Sequence, residues 1–260
     1  ALIIAGPTKG LLGDEEVASL FSYLRDGGRA IFLLEPSTAK SIRDLIARWG
    51  AELGDGVVVD PYSSVLGAPG TPIVPKTQYT NFTSITRPLD DTFFPGVTNV
   101  VDGRTEEEWE EEEDAGVVRF VPLARTSAGS WLEPGNQVRL DPDDIIGPLV
   151  IATYVNAPPL LNSEDSSTPE EAKNAEIIIF ADVDFASNKY FYAYSNGDFL
   201  INAVNWLTQD VELISIRPKP FLFRQLVVTT QERDFIRYTS YFLLPGVLAL
   251  FAGLVWWRRR

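Results

Sequence analysis

The sequence predicts an α/β protein: an open, mostly parallel sheet with flanking helices, a loop-rich β insertion and one C-terminal transmembrane helix. Three observations carry this. Short apolar runs alternate with amphipathic stretches over the first sixty residues and again after residue 149. Between them, residues 61–147 are punctuated by proline and glycine every few positions. Finally, no residue from Ser240 to Trp257 is charged. A helix of that length spans roughly 27 Å at about 1.5 Å per residue, close to the roughly 30 Å hydrocarbon core of a bilayer.

Leu2-Ile3-Ile4-Ala5 reads as a buried strand ending at Gly6-Pro7. Asp14 is the expected cap of a helix through Leu24, with Val17, Leu20, Phe21 and Leu24 on one face and Gly27-Gly28 as the stop. A second strand at Ala30–Leu34 precedes a helix capped by Ser37 and carrying Ile42, Leu45, Ile46 and Trp49. Val57-Val58-Val59 is expected as a third strand, parallel to the first two through right-handed crossovers. Within 61–147 the strand-like runs are short, as at Val117–Val121. Glu106–Asp114 holds eight carboxylates in nine positions and is expected as a solvated excursion or a contact for a basic partner. Strands are expected again at Leu149–Val155, Glu176–Ala181 and Leu213–Ile216, with a polar loop at 162–174 and a helix after Gly197-Asp198. The resulting organisation is an α/β domain over 1–217, a juxtamembrane linker over 218–238, a membrane helix over 239–258 and a basic end at 259–260.

The chain carries 36 acidic and 22 basic residues, a net of −14, which argues against nucleic acid because phosphate neutralisation needs a Lys/Arg surface. Cysteine, histidine and methionine are absent. Disulfides, thiolate nucleophiles and imidazole bases are therefore excluded, and the usual zinc and copper ligands are missing. No cofactor is expected. The opening at Ala1 inside an apolar run reads as the interior of a longer protein, whose upstream part is expected to hold a further anchor.

Asp182 and Asp184 follow a predicted parallel strand at its carboxyl end, where open α/β sheets place their ligands. With Ser187 and Asn188 they form the candidate ligand site. The competing account is that they cap or tie down a turn. Gly6–Gly10 lacks the spacing of a phosphate loop, and Glu35-Pro36 reads only as a turn. Tyr190, Phe191, Tyr192 and Tyr194 form either an interface patch or half-buried core. In the apolar helix Gly246, Ala249 and Gly253 share one face, where small residues let a second helix approach closely. Trp256 and Trp257 sit at the expected membrane interface, followed by Arg258, Arg259 and Arg260.

The chain resembles the accessory proteins of ABC-type export systems related to the gliding-motility protein GldG. The residues that carry this are Ala1–Pro7 with Asp14-Glu-Glu16, Tyr23-Leu-Arg-Asp-Gly-Gly-Arg29 into Ile31-Phe-Leu-Leu-Glu-Pro36, and Gly54-Asp-Gly-Val-Val-Val-Asp-Pro61. Further on they are Phe180–Asn188, Asn196–Leu207 and Leu213–Lys219. The resemblance implies an extracytoplasmic α/β domain of glutamine-amidotransferase-like or flavodoxin-like fold, beside an ABC permease and ATPase, without catalysis. The acidic insertion departs from the pattern. The expected protein is thus a non-enzymatic accessory subunit, single-pass in a bacterial cell membrane, whose partners are the lipid bilayer and a permease or other multispan subunit. A solute-binding module at Asp182/Asp184 and a divalent-metal hydrolase using the same pair are the alternatives.

Overall fold

The computed structural model describes residues 1–6, 12–65, 67–80, 83–104, 119–135, 138–158, 173–208 and 230–259. In chain order its elements are β1 (Leu2–Ala5), α1 (Asp14–Arg25), β2 (Arg29–Leu33), α2 (Lys40–Ala47), β3 (Ala51–Leu53), β4 (Val57–Val59), β5 (Ser64–Val65), β6 (Ala68–Val74), β7 (Thr92–Phe93) and β8 (Val100–Asp102). Then come β9 (Arg119–Arg125), β10 (Trp131–Glu133), β11 (Ile145–Ile146), β12 (Val150–Ala157), β13 (Ala175–Phe180), α3 (Asn196–Thr208), α4 (Thr230–Tyr238) and α5 (Leu244–Arg258). The expected strand at 213–216 and the acidic run 106–114 lie outside the described residues.

The main sheet has the order β1-β2-β13-β12-β9. β1, β2 and β13 are parallel, whereas β12 and β9 complete the sheet in antiparallel pairing. The sheet is therefore mixed, not the mostly parallel one the sequence suggested. Nor is β1 interior, as a flavodoxin-like strand order would have it; it forms one edge. β2 and β13 occupy the middle because their apolar runs are continuous, and Ala30–Leu33 and Ile177–Phe180 are buried on both faces. Arg29 and Glu176 stand opposite each other at the end of this pair and form a 3.1 Å ion pair, while Arg29 also donates to the Leu207 carbonyl at the end of α3.

The expected third parallel strand is corrected. β4 is a strand, but it pairs antiparallel with β10, in a small sheet completed by β11. Three residues bounded by Gly56 and Asp60 are too short to span the main sheet, and the longer run of β13 takes the place beside β2. The stretch 61–147 also contributes to the main sheet, because β9 is its second edge. Around it lie the short pairings β3–β8 and β5–β6–β7. An aromatic stack joins the layers: Phe180 lies 4.8 Å from Phe185 and 4.9 Å from Phe199, the latter edge-on, and Phe94 lies 5.2 Å from Phe185.

Both helix caps differ from expectation. The N-cap of α1 is Gly13, whose N–H is accepted by the Glu16 carboxylate at 2.7 Å, and Asp14 is the first helical residue. The N-cap of α2 is Ala39; upstream, Ser37 donates to the Glu35 carboxylate and the Thr38 hydroxyl accepts the Glu35 N–H. Gly27 ends α1 with φ +83°, and a Cβ there would stand 2.4 Å from the Lys173 carbonyl oxygen, so both conformation and space require glycine.

The C-terminal helix is longer than the sequence suggested. Asp234–Arg258 forms one 25-residue helix, within which an 18-residue window has a mean hydropathy of 1.7 and none of it is buried against the rest of the described chain. Pro245 is the second residue of α5 but stands well inside this continuous helical stretch. A π-helical turn at Thr239–Leu243 precedes it. Proline has no N–H for the carbonyl four residues back and its ring crowds that carbonyl, and the wider turn relieves both.

Candidate functional site

The carboxyl ends of the parallel strands meet at a group of short polar connections. The Leu34 N–H donates to Phe180 O, the Ala181 N–H to Ile151 O and the Thr98 N–H to Ala181 O, which closes the floor beneath Asp182. Asp182 is 2 % exposed. Its Oδ1 accepts the Asp184 N–H at 2.7 Å, while Oδ2 is buried without a hydrogen-bond partner. Burial pushes the Asp182 carboxyl well above the usual carboxylate range. The Asp184 and Phe185 N–H groups oppose this, and the neighbouring charges of Asp184 and Glu35 reinforce it.

The structure thus brings Asp182 and Asp184 together through a side-chain-to-backbone turn, the arrangement weighed against a ligand role, and opens the short 3-10 turn Asp184–Ala186. Asp184 and Asn188 are exposed and Ser187 is half-buried. Ser187 continues the turn by donating its N–H to Asp184 O and accepting from Tyr190 and Phe191. Glu35, read from sequence only as a turn residue, is the additional carboxylate acting on Asp182. Among the described residues no group of three or more Asp or Glu side chains is arranged to hold a metal ion.

Most buried polar groups around this end brace loops. Asp60, fully buried, accepts the Tyr62 and Ser63 N–H groups and the Ser127 hydroxyl on Oδ1, and the Ser127 N–H on Oδ2. Asn196 accepts the Phe93 N–H and donates to Phe93 O and Phe185 O, tying α3 to β7. Arg43 donates to the carbonyls of Pro36, Thr38, Leu53 and Gly54 and pairs with Asp55 at 3.0 Å. Gly54 lies so close that a Cβ would stand 1.9 Å from Asn99 Oδ1. Asp60 and Asn196 belong to the quoted motifs, so part of that pattern records bracing. Arg43 had no signal in the sequence, where it is one cation on an amphipathic helix.

The aromatic cluster divides. Tyr190 and Tyr194 pack on a small second core with Ile73, Phe93 and Ala193, and Tyr190 lies 5.1 Å from Phe93. Tyr192 is exposed. In the C-terminal helix Gly246, Ala249 and Gly253 are exposed, and a Cβ at either glycine would meet nothing within 4 Å. Trp256, Trp257, Arg258 and Arg259 are exposed at its end; Arg260 lies outside the described residues.

Fold and site together define a mixed-sheet α/β domain with a braced polar end, followed by an apolar helix of membrane-spanning length. The chain belongs to the ABC transporter auxiliary family, described as an ABC-type uncharacterized transport system, whose model matches residues 1–203. Among solved structures it is similar to one described as the mmIFT52 N-terminal domain, at 16% identity, covering 80% of this chain and 76% of that chain with a TM-score of 0.51. At that identity the likeness speaks for the fold alone. No curated protein matches the chain.

Proposed function

We propose that this protein is a non-enzymatic, membrane-anchored accessory subunit of an ABC-type transport system, acting through contacts of its α/β domain and its apolar helix. Family membership supplies the transport context. The observation that carries the rest is the 25-residue apolar helix, unburied, with open space over Gly246 and Gly253. In lipid, such a small-residue face is where another helix packs, and a permease supplies that helix. Trp256, Trp257 and Arg258–Arg260 anchor the cytoplasmic end, and residues 1–217 stand outside the cytoplasm. Mild-detergent purification of the full-length protein is expected to bring down a multispan permease. A monodisperse monomer with no companion would overturn the reading. Because the chain has no cysteine, a single introduced thiol near Arg258, inaccessible to an impermeant maleimide in intact cells, tests the orientation.

One observation favours a second reading, a solute-binding module. Asp182 Oδ2 is a buried, unpartnered oxygen at a sheet end, and a small polar ligand entering beside Asp184, Ser187 and Asn188 would satisfy it. The turn from Asp182 to Asp184 would have to open to admit it. A ligand-dependent rise in Tm across a metabolite panel, absent in Asp182→Ala, supports this; no rise removes it.

A further inference from the structure

We propose that β1 is a docking edge that takes up an extended segment of a partner protein, apolar at alternate positions and placing a lysine or arginine against Glu16. This deepens the subunit reading and rests on it. β1 pairs only with β2, and among the described residues nothing pairs its outer side. Gly6 turns its N–H to Leu33 O, and main-chain direction alternates along a parallel strand. Leu2 and Ile4 therefore bond β2, whereas Ile3 and Ala5 each direct an N–H and a carbonyl outward. Leu2 and Ile3 point to opposite faces yet are 44% and 48% exposed. Natural edges of this kind are blunted by lysine, proline or a bulge, and Leu-Ile-Ile-Ala has none.

Beside this row runs a cleft of about 510 Å³ between β1 and α1, walled by Leu12, Leu20 and Tyr23, with Ser19 and Glu16 also lining it. Side chains on one face of an added strand would enter it, as in strand-addition complexes. Glu16 is the charged side chain of the lining, and Asp14 and Glu15 stand beside it in the first turn of α1. That charge selects the occupant. Two copies of this chain joined edge to edge would bring two acidic helix starts together, each on a chain of net −14. An extended partner segment with a basic residue satisfies both the open main-chain row and the carboxylate.

The test uses the full-length protein in lipid nanodiscs and fluorescent peptides of alternating valine and threonine, ended by lysines or by glutamates. Ile3→Pro removes an outward N–H without touching the β2 ladder, and proline is tolerated on an edge. Glu16→Gln keeps an acceptor for Gly13 and removes the charge. The lysine-ended peptide is expected to bind, about tenfold more weakly to Ile3→Pro and severalfold more weakly to Glu16→Gln, and the glutamate-ended peptide not to bind. Unchanged Tm in both variants shows that they fold. Failure of the lysine peptide to bind, or binding indifferent to Ile3→Pro, overturns the proposal. So does a photocrosslinker at Ser19 that captures a second copy or another stretch of the same chain. Permease recovery is scored in the same preparations: a retained permease with an idle edge sinks only the edge, and a wild-type preparation without permease sinks the subunit reading.

Discussion

Asp182→Asn is the most informative single perturbation of the braced end. The substitution keeps an oxygen for the Asp184 N–H and removes an ionisable group that is 2 % exposed, with one oxygen lacking a partner. Because burial raises the Asp182 carboxyl in the folded protein, the folded state holds its proton more tightly than the unfolded chain does. Its contribution to stability is therefore fully present below the ordinary aspartate range and is lost as pH rises through the raised value. The new amide still leaves an unpaired N–H, which costs about 1 kcal/mol or more and offsets part of the gain. A buried charged oxygen left without a partner costs more than an unpaired amide N–H, so the net expectation near pH 7.5 is a more stable variant, by an amount on the order of 1 kcal/mol or a few degrees in Tm. Thermal melts of the detergent-solubilised pair between pH 5 and 8 measure it, since other titrating groups cancel in the difference. The gap must narrow on acidification, where the protonated wild-type side chain is nearly isosteric with asparagine. A less stable variant at pH 7.5, or a gap indifferent to pH, would refute the argument.

Three other outcomes follow from the same geometry. Asp60→Ala leaves the Tyr62, Ser63 and Ser127 N–H groups without their acceptor and should cost about 3 kcal/mol in denaturant titrations, with Asp60→Asn milder. Arg43→Met removes the donor shared by four carbonyls and should cost about 2–4 kcal/mol, lowering Tm by several degrees, whereas Asp55→Asn, at a 90% exposed partner, should change little. Gly253→Leu fills the small-residue face of α5 and should abolish permease recovery at unchanged domain Tm, while Leu254→Ala should not.

Most strands and helices of the α/β part were legible because they bury their own periodic patterns; β1, expected as a buried strand, is instead an exposed edge, because apolar composition does not say whether a neighbour covers it. Leu20 and Leu24 of α1, Ile42, Leu45 and Ile46 of α2, and Phe199, Ala203 and Leu207 of α3 are the buried residues the spacing indicated. The family was legible too, through motifs spread over the chain. Pairing was not. Val57–Val59 has the composition of a parallel core strand, and nothing local says that Trp131–Glu133, some seventy residues away, will claim it. The candidate site shows the same division: sequence placed Asp182 and Asp184 at a strand end, but burial and the Asp184 N–H decided that one is a buried carboxyl with an unpartnered oxygen and the other an exposed one.

The sequence by itself determined local periodicity, the absence of cysteine and histidine chemistry, and an uncharged C-terminal stretch long enough to cross a bilayer, because each is a property of neighbouring residues. Only the tertiary structure decided that β13 rather than β4 stands beside β2, that β1 is an acidic-flanked edge unpaired on its outer side among the described residues, and that the helix runs back through a π turn before Pro245. Those outcomes depend on which distant segments compete for the same hydrogen-bonding edge and the same buried space. Residue spacing along a chain carries no information about that competition.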